Sequence, residues 1–330
     1  MINVERNSQN SISVVLINYN SWEDTVECVK SLFNSNFKNF SIVIVDNKST
    51  NDSTKKLEEC FNEKFKKIFI SFDYDDNFPS NDYSNKKIFL IKNKDNVGFS
   101  KGNNIGIKFN QEILNNKYIW ILNNDVEVDK NAMKYLVDYS NNDLDKNFLG
   151  VTIIEYYNRE LIQCTCGGRY CRFTTMSKNS NKGVNIKELD KLRDKSNYIS
   201  GCSIFGSKDL FEKVGNFSTD YFLYFEEMDL MIKSKKNNIG KKWVKNAIIF
   251  HKEGASIGSK NLKRKKSEFS EYQSDMSCLI FNKKHYRVMW QFYVLNRYIL
   301  KRLKFFIEKT PEYVKSLNKA YLDFKGENYK

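Results

Sequence analysis

The stretch YIWILNNDVEVDK, residues 118–130, changes character in a single step. Tyr118, Ile119, Trp120, Ile121 and Leu122 make the aromatic and β-branched run of a buried strand, and Asn123, Asn124 and Asp125 follow at once. Asn and Asp suit turns, because their side chains bond nearby backbone and tolerate left-handed conformations. A turn is a sufficient reading of this stretch alone. The rest of the chain decides whether more is needed.

Upstream the same event recurs. ISVVLIN (residues 12–18) reads as a buried strand, and SWEDTVECVKSLFNS as a helix with Ser21 at its N-cap and Asp24 as capping partner. Val26, Val29, Leu32 and Phe33 form its apolar face. FSIVIVD (residues 40–46) is the next strand, followed by the helix NDSTKKLEECFNEKF, capped by Asp52 or Ser53. After the polar stretch DYDDNFPSNDYSN, KIFLIKN is a third strand, GFSKGNNIGIKFNQEIL a third helix and YIWILNN a fourth strand. The alternation predicts an α/β fold of Rossmann-like layout, a mostly parallel sheet with helices on both faces. Ligands of such sheets bind at the carboxyl ends of the strands. Those ends carry Asn18-Tyr19-Asn20, Asp46-Asn47, Asn93 leading to Asp95-Asn96, and Asn123-Asn124-Asp125. One polar strand end is a turn; four at one edge read as a site. No G-x-G-x-x-G follows the first strand and no G-x-x-x-x-G-K-[ST] occurs, which excludes a dinucleotide fingerprint and a P-loop.

In the second half, GVTIIEYYNRELIQCTCGGRYCRFTTM reads as strands with a turn at Gly167-Gly168, and YISGCSIFGSKDLFEKVG as a strand feeding a short helix. A helix is predicted from Glu226 to Lys236, ending at Asn237, Asn238 and Gly240, and KKWVKNAIIFHKEG as a strand ending at His251. A boundary near Gly258 divides an α/β domain, residues 1–258, from a basic, aromatic C-terminal helical extension, residues 259–330. Residues 231–330 hold 24 Lys and Arg against 8 Asp and Glu, whereas residues 1–230 hold 30 against 32. In HYRVMWQFYVLNRYILKRLKFF, Trp290, Phe292, Tyr293, Tyr298, Phe305 and Phe306 mix with Arg287, Arg297, Lys301, Arg302 and Lys304. That pattern suits an interfacial helix on an anionic membrane surface. It equally suits a helix packing its aromatics on the first domain or on a second copy in a homo-oligomer, and the sequence leaves both open. Nucleic acid is not expected as a partner, because the basicity lies outside the domain with the strand-end carboxylates and no RNA-binding signature is present.

With 41% hydrophobic residues the chain is built to fold. No apolar run reaches the ~18 residues that crossing a bilayer takes, and MINVERNSQN lacks a signal peptide's apolar segment. The expected location is cytoplasmic, with peripheral attachment to the inner face of the membrane as the tail's alternative. Seven cysteines, an odd number without an export signal, indicate reduced thiols. Cys164, Cys166 and Cys171 in CTCGGRYC have no fourth ligand at zinc-finger spacing.

The strand-end carboxylates suggest chemistry. Asp125 is placed to hold a divalent cation that neutralises a diphosphate. Asp46 is placed either to accept hydrogen bonds from a base or ribose or to cap a helix. Glu226 and Glu227 are first-turn acids favoured by the helix dipole, or, beside the apolar approach DYFLYF, a general base of raised pKa. His251 follows Glu227 by 24 residues, across a helix and a returning strand that can bring both to one edge.

The segments VVLINYN, VDNKSTNDS, NVGFSKGNNIGI, ILNNDVEVD, ISGCSIFGSKDLFEKVGNF, FLYFEEMDL and a closing FH occur in this order. Together they resemble the inverting GT-A glycosyltransferases of family two, and within them the rhamnosyltransferase-like branch that builds bacterial surface polysaccharides such as capsule and lipopolysaccharide. The resemblance covers about residues 11–258. It implies that Asn18, Tyr19 and Asp46 hold the nucleotide, and that Asn96, Gly98 and Asn103 line the donor pocket. Asn123, Asn124 and Asp125 would occupy the place of the D-x-D motif, which binds Mn2+ or Mg2+ on the donor diphosphate. Glu227 would be the general base, Glu226 its neighbour on the acceptor side and His251 a further metal ligand. The implied reaction moves a sugar, rhamnose-like among the options, from a dTDP- or UDP-linked donor to a saccharide or lipid-linked saccharide, with inversion. Two positions depart from the pattern: Asn123 replaces a carboxylate, and Asp275 stands where an arginine is expected. Asn123 keeps open a catalytically weak or inactive nucleotide-sugar-binding protein.

Overall fold

The computed structural model describes residues 10–143, 146–252 and 267–326, so the boundary near Gly258 lies outside the described residues. Strands β1 (Ile12–Asn18), β2 (Phe40–Asp46), β3 (Phe69–Tyr74), β4 (Ile88–Asn93) and β5 (Tyr118–Asn123) lie parallel in the order β3-β4-β2-β1-β5. Beyond them come β6 (Val126–Val128), β7 (Asn147–Glu155), β8 (Asn158–Thr165), the hairpin β9 (Gly168–Cys171) and β10 (Met176–Asn179), β11 (Ser203–Ser207) and β12 (Gly240–His251). The main sheet continues from β5 through β11, β7, β12 and β6, with β8 on β7, and β11 runs antiparallel to β5. Strand β3 was not expected from the sequence. It is an edge strand, with Asp73 facing water, and so lacks the two-sided burial that makes its neighbours legible.

Alternation along β1 shows how the layers form. Ile12, Val14 and Leu16 face one core, with Val26 and Cys28 of α1 (Trp22–Phe33), Leu57 and Phe61 of α2 (Ser53–Phe65), and Met133 and Leu136 further on. Val15 faces the other core, with Ile107 of α3 (Gly98–Phe109). The helix read over residues 98–114 ends its regular part at Phe109 and finishes as a π-turn, Asn110–Leu114. The remaining helices are α4 (Ala132–Asn142), α5 (Lys208–Val214), α6 (Glu226–Lys236), α7 (Glu268–His285), α8 (Trp290–Ile307) and α9 (Pro311–Lys325).

Two sequence readings are corrected. Ser21 and Asp24 do not form the expected capping pair: Ser21 makes no side-chain cap, its hydroxyl instead accepts from Asn124, and Asp24 pairs with Lys252. In the tail, Arg297 and Lys301 are buried and do not contribute to an outward cationic face. Arg297 Nε donates to Asp275 Oδ1 at 2.8 Å, and Lys301 Nζ donates to Asp275 at 2.9 Å and to Glu271 at 2.6 Å. Asp275 is fully buried, and a carboxylate there requires cations. The residue that departs from the family pattern thus clamps α8 onto α7. Helix α7 in turn places Cys278 and Phe281 in the same core as Met228 and Leu230 of α6.

Candidate active site

The four polar strand ends are adjacent. Asn18 is in register with Asp46, Ile17 with Asn123, and Asp46 with Lys92 beside Asn93. A chain of hydrogen bonds crosses this edge: Asn124 Nδ2 donates to Thr25 Oγ1 (2.8 Å), Thr25 Oγ1 to Asn18 Oδ1 (2.8 Å) and Asn18 Nδ2 to Asp46 Oδ2 (2.6 Å). Asp46 also accepts from Ser49 N at 3.0 Å, Ser49 Oγ at 2.6 Å and Thr54 Oγ1 at 3.0 Å. Its carboxylate therefore fixes the loop that opens α2. Farther along, Asn93 Nδ2 donates to Asn47 Oδ1 at 2.9 Å and Asn47 Nδ2 to Gly98 O at 2.8 Å. The amides that end these strands cross-link one loop to the next.

Gly98 opens α3 at φ +78°, and a Cβ there would lie 2.3 Å from Phe222 O. Only glycine fits. Asn96 is exposed and accepts from Gly98 N at 3.1 Å, while Tyr19 stays half-buried at the mouth of the edge. Asn103 is fully buried, donates to Phe99 O at 2.9 Å and leaves its Oδ1 without a hydrogen bond. Asn18, Asn103 and Asn124 thus lie inside the fold, and Tyr19, Asn96 and Asn123 reach its surface.

At the end of β5 a second group assembles. His251 Nε2 lies 3.1 Å from Asp125 Oδ1 and 3.5 Å from Asn123 Nδ2, and His251 Nδ1 lies 2.9 Å from Gln163 Oε1. Burial draws the imidazole pKa down, but Cys202 and the Asp125 carboxylate outweigh it and hold it well above the ordinary value. The donor set fits a divalent cation as half a site. One carboxylate and one imidazole, with an amide beside them, leave the remaining positions to diphosphate oxygens and water, the usual arrangement for Mg2+ on a phosphorylated substrate. Among the described residues no cluster of three or more His, Cys, Asp or Glu is arranged to hold a metal alone. Binding there would displace the shared proton. Sequence reasoning missed Gln163, because β8 carries no local mark that its Gln reaches across to β12.

The glutamates complete the edge. Cys202 O accepts from Asn123 N at 2.9 Å, and a methyl group on neighbouring Gly201 would lie 3.8 Å from Glu226 Oε1 and 3.9 Å from Glu227 Cδ. Two residues of backbone therefore separate the carboxylate pair from the β5 end. Glu226 and Glu227 each have a buried Oε2 without a hydrogen bond. Burial pushes Glu227 up to about 7, and burial with the charge of Glu227 pushes Glu226 well above the usual carboxylate range. Tyr224 and Phe225, just ahead, hold φ +70° and +69°, a conformation non-glycine residues seldom adopt. Helix α7 holds this turn: Ser277 Oγ donates to Leu223 O at 2.8 Å, Tyr224 OH meets Ser270 Oγ, and His285 Nε2 lies 2.7 Å from Asp229 Oδ1.

A profile of the family described as glycosyl transferase family 2 matches residues 13–215, more than half of the chain. The chain belongs to glycosyl transferase family 2. The low-salt glycan biosynthesis hexosyltransferase Agl10 of Haloferax volcanii is 25% identical over 163 residues, which are 47% of this chain and 49% of that protein. The chain thus spans about half the length of the curated relative it matches. The mannosyltransferase PcManGT from Pyrobaculum calidifontis, solved in complex with GDP-Man and Mn2+, superimposes with a TM-score of 0.52 at 10% identity, over 94% of this chain and 73% of that one. S. aureus TarS 1-349 in complex with UDP-GlcNAc gives 0.50 at 14% identity, over 94% and 80%. At such identities the two structures show the fold alone: this family 2 chain has the GT-A architecture, a mostly parallel sheet with C-terminal helices.

Proposed function

We propose that this protein is a metal-dependent, inverting hexosyltransferase that moves a sugar from a dTDP- or UDP-linked donor to a saccharide or lipid-linked saccharide of a cell-surface glycan. The observation that carries the reading is the Glu226 and Glu227 pair, each with a buried Oε2 that has no hydrogen bond, two backbone residues from the Asn123, Asp125 and His251 group. A carboxylate with a pKa near 7 is half ionised at neutral pH and strong enough to take a proton from a sugar hydroxyl. Glu227 removes the acceptor's proton as its oxygen attacks the anomeric carbon from the face opposite the leaving group. Glu226, held neutral beside it, donates a hydrogen bond to the acceptor. Asp125 and His251 would hold the cation, which would neutralise charge on the leaving diphosphate. Gln163 keeps the Nε2 of His251 turned to that position. Asp46 and Asn18 hold the loop against which the nucleotide rests, and Asn123, in place of a carboxylate, weakens the cation's hold.

The test is nucleoside diphosphate release and thermal stabilisation with Mn2+ and a panel of uridine-, thymidine- and guanosine-diphosphate sugars. Release with one donor, abolished in Asp125→Ala and Glu227→Ala, is expected. Stabilisation without release under any acceptor would instead favour a nucleotide-sugar-binding protein, the reading that Asn123 supports. No stabilisation by any donor would sink both.

A further inference from the structure

Outside the strand-end site, α8 carries an apolar face that no part of the described protein covers. Phe292, Leu295, Ile299, Leu303 and Phe306 recur three or four residues apart and so share one side of the helix. They are 47% to 83% exposed, and Val288, just ahead of the helix, is 93% exposed. The opposite side is committed to the protein through Tyr293, Val294, Phe305 and the Arg297 and Lys301 clamp. At the edge of the exposed side lies the turn between β9 and β10. Phe173 of that turn is 53% exposed, its ring is 5.7 Å from that of Tyr293, and its carbonyl accepts from Asn296 Nδ2 at 3.4 Å.

Most of the charge around this face is positive, with Glu308, just past the helix, lying 3.9 Å from Lys304 Nζ. Helix α8 contains no Asp or Glu. Arg302 and Lys304 are exposed on it, with Arg287 before it, Lys309 after it and Arg172 beside Phe173. Arg302 and Lys309 also border a cleft of about 390 Å³ between α8 and α9, walled by Leu303, Phe306, Pro311 and Val314. Two cations over an apolar floor match a phosphate headgroup joined to an acyl chain. We propose that the outer face of α8, with Phe173 and this cleft, docks the protein onto a bilayer surface containing anionic lipid. No helix among the described residues is long and apolar enough to cross a membrane, so the contact lies in the interface. A second copy fits less well: a twofold contact sets the patch against itself and brings Arg302 against its own copy, with no acid on the helix and Glu308, at its end, already beside Lys304.

The placement links the surface to the site. Tyr170 of β9 packs its ring 5.7 Å from Phe225, which precedes Glu226, and Phe173 follows Tyr170 by at most about 10 Å of chain. Docking would hold the carboxylate pair close to the headgroups, where an acceptor anchored by a lipid tail presents its sugar. That consequence rests on the proposed transferase function; the docking itself does not.

The experiment is flotation of the full chain with phosphatidylcholine vesicles, with and without phosphatidylglycerol, at low and high salt, alongside sedimentation velocity without vesicles. Leu295→Glu with Leu303→Glu tests the apolar face, Arg302→Glu with Lys309→Glu tests the cations, and circular dichroism melting confirms that each variant folds. The expected result is flotation of the wild type with phosphatidylglycerol vesicles and its loss in the apolar-face variant. The charge variant should partition at least about fivefold more weakly for each cation removed. Wild type that stays unbound, or folded variants that float like wild type, would overturn the proposal. So would a wild-type dimer that the apolar-face variant turns monomeric while vesicles bind neither. These outcomes are independent of donor binding.

Discussion

Replacing Glu227 by Gln should raise stability while removing activity, and the size of the gain follows from the burial of its carboxyl. The group is pushed from 4.5 to about 7 by burial, with an Oε2 that meets neither water nor a hydrogen-bond donor. In the unfolded chain it ionises near 4.5, and in the folded chain it keeps its proton until about 7. Between those values unfolding releases a proton, so stability falls as pH rises through that window and levels off above it. A shift of this size corresponds to about 3 kcal/mol. Glutamine is isosteric with the protonated acid and does not titrate. Wild type and Glu227→Gln should therefore be equally stable below pH 4.5 and diverge to about 3 kcal/mol in favour of the variant above pH 7. Removing this charge also relieves Glu226, so the gain should not be smaller than that. Urea denaturation of both proteins from pH 5 to 8 reads the difference, and a melting shift of about 6 °C or more at pH 8 should accompany it. Transfer should drop by about two to four orders of magnitude, and the wild-type rate should show an acid limb near pH 7. A variant no more stable than wild type at pH 8 would refute the reasoning, because Glu227 would then be solvated or paired in the folded protein.

Three further substitutions probe separate parts of the protein. Gln163→Leu removes the partner of His251 Nδ1 and should weaken Mn2+ binding by about 10- to 100-fold in a direct paramagnetic titration, whether or not a donor is present. Gly98→Ala puts a methyl group 2.3 Å from Phe222 O at φ +78° and should lose at least about 1–3 kcal/mol in denaturant unfolding; wild-type stability would show that the α3 entry adapts. Asp275→Ala leaves Lys301 buried with Glu271 as its carboxylate and Arg297 buried against Thr175 O and Ser274, and should cost about 3–5 kcal/mol by the same measurement.

Most of the fold was legible because its signals are local. β1, β2, β4 and β5 are buried on both faces and read as continuous apolar runs, and the helices between them carry clear apolar faces. Edge strand β3, half exposed, has no such signature. The site was legible to the extent that its residues stand at strand ends, since a parallel sheet brings those ends together wherever they fall in the chain. Side-chain direction was not. Composition shows that Arg297 and Lys301 are cations in a basic helix, but only the buried Asp275 opposite them determines that they turn inward. The tail's charge count therefore overstated its outward cationic face, while the apolar stripe from Phe292 to Phe306 survives in the structure.

The turn that carries Glu226 and Glu227 is the feature furthest from any local signal. Tyr224 and Phe225 sit at positive φ although neither is glycine, and nothing in DYFLYF announces it. Such a conformation persists only where surrounding contacts over-determine it. Here those contacts come from Ser270, Ser277 and His285, some 45 to 60 residues later in the chain, on α7. Helix α7 is held in its turn by α8 through Asp275, so the surface on α8 and the glutamates of α6 belong to one connected body. A chain cut after Gly258 would remove the clamp on the Glu226 and Glu227 turn together with the α8 face. Loss of vesicle binding in such a fragment would then say nothing about docking, because the site would have been released as well. Point substitutions on the exposed side of α8, opposite the residues that hold α7, separate the two effects.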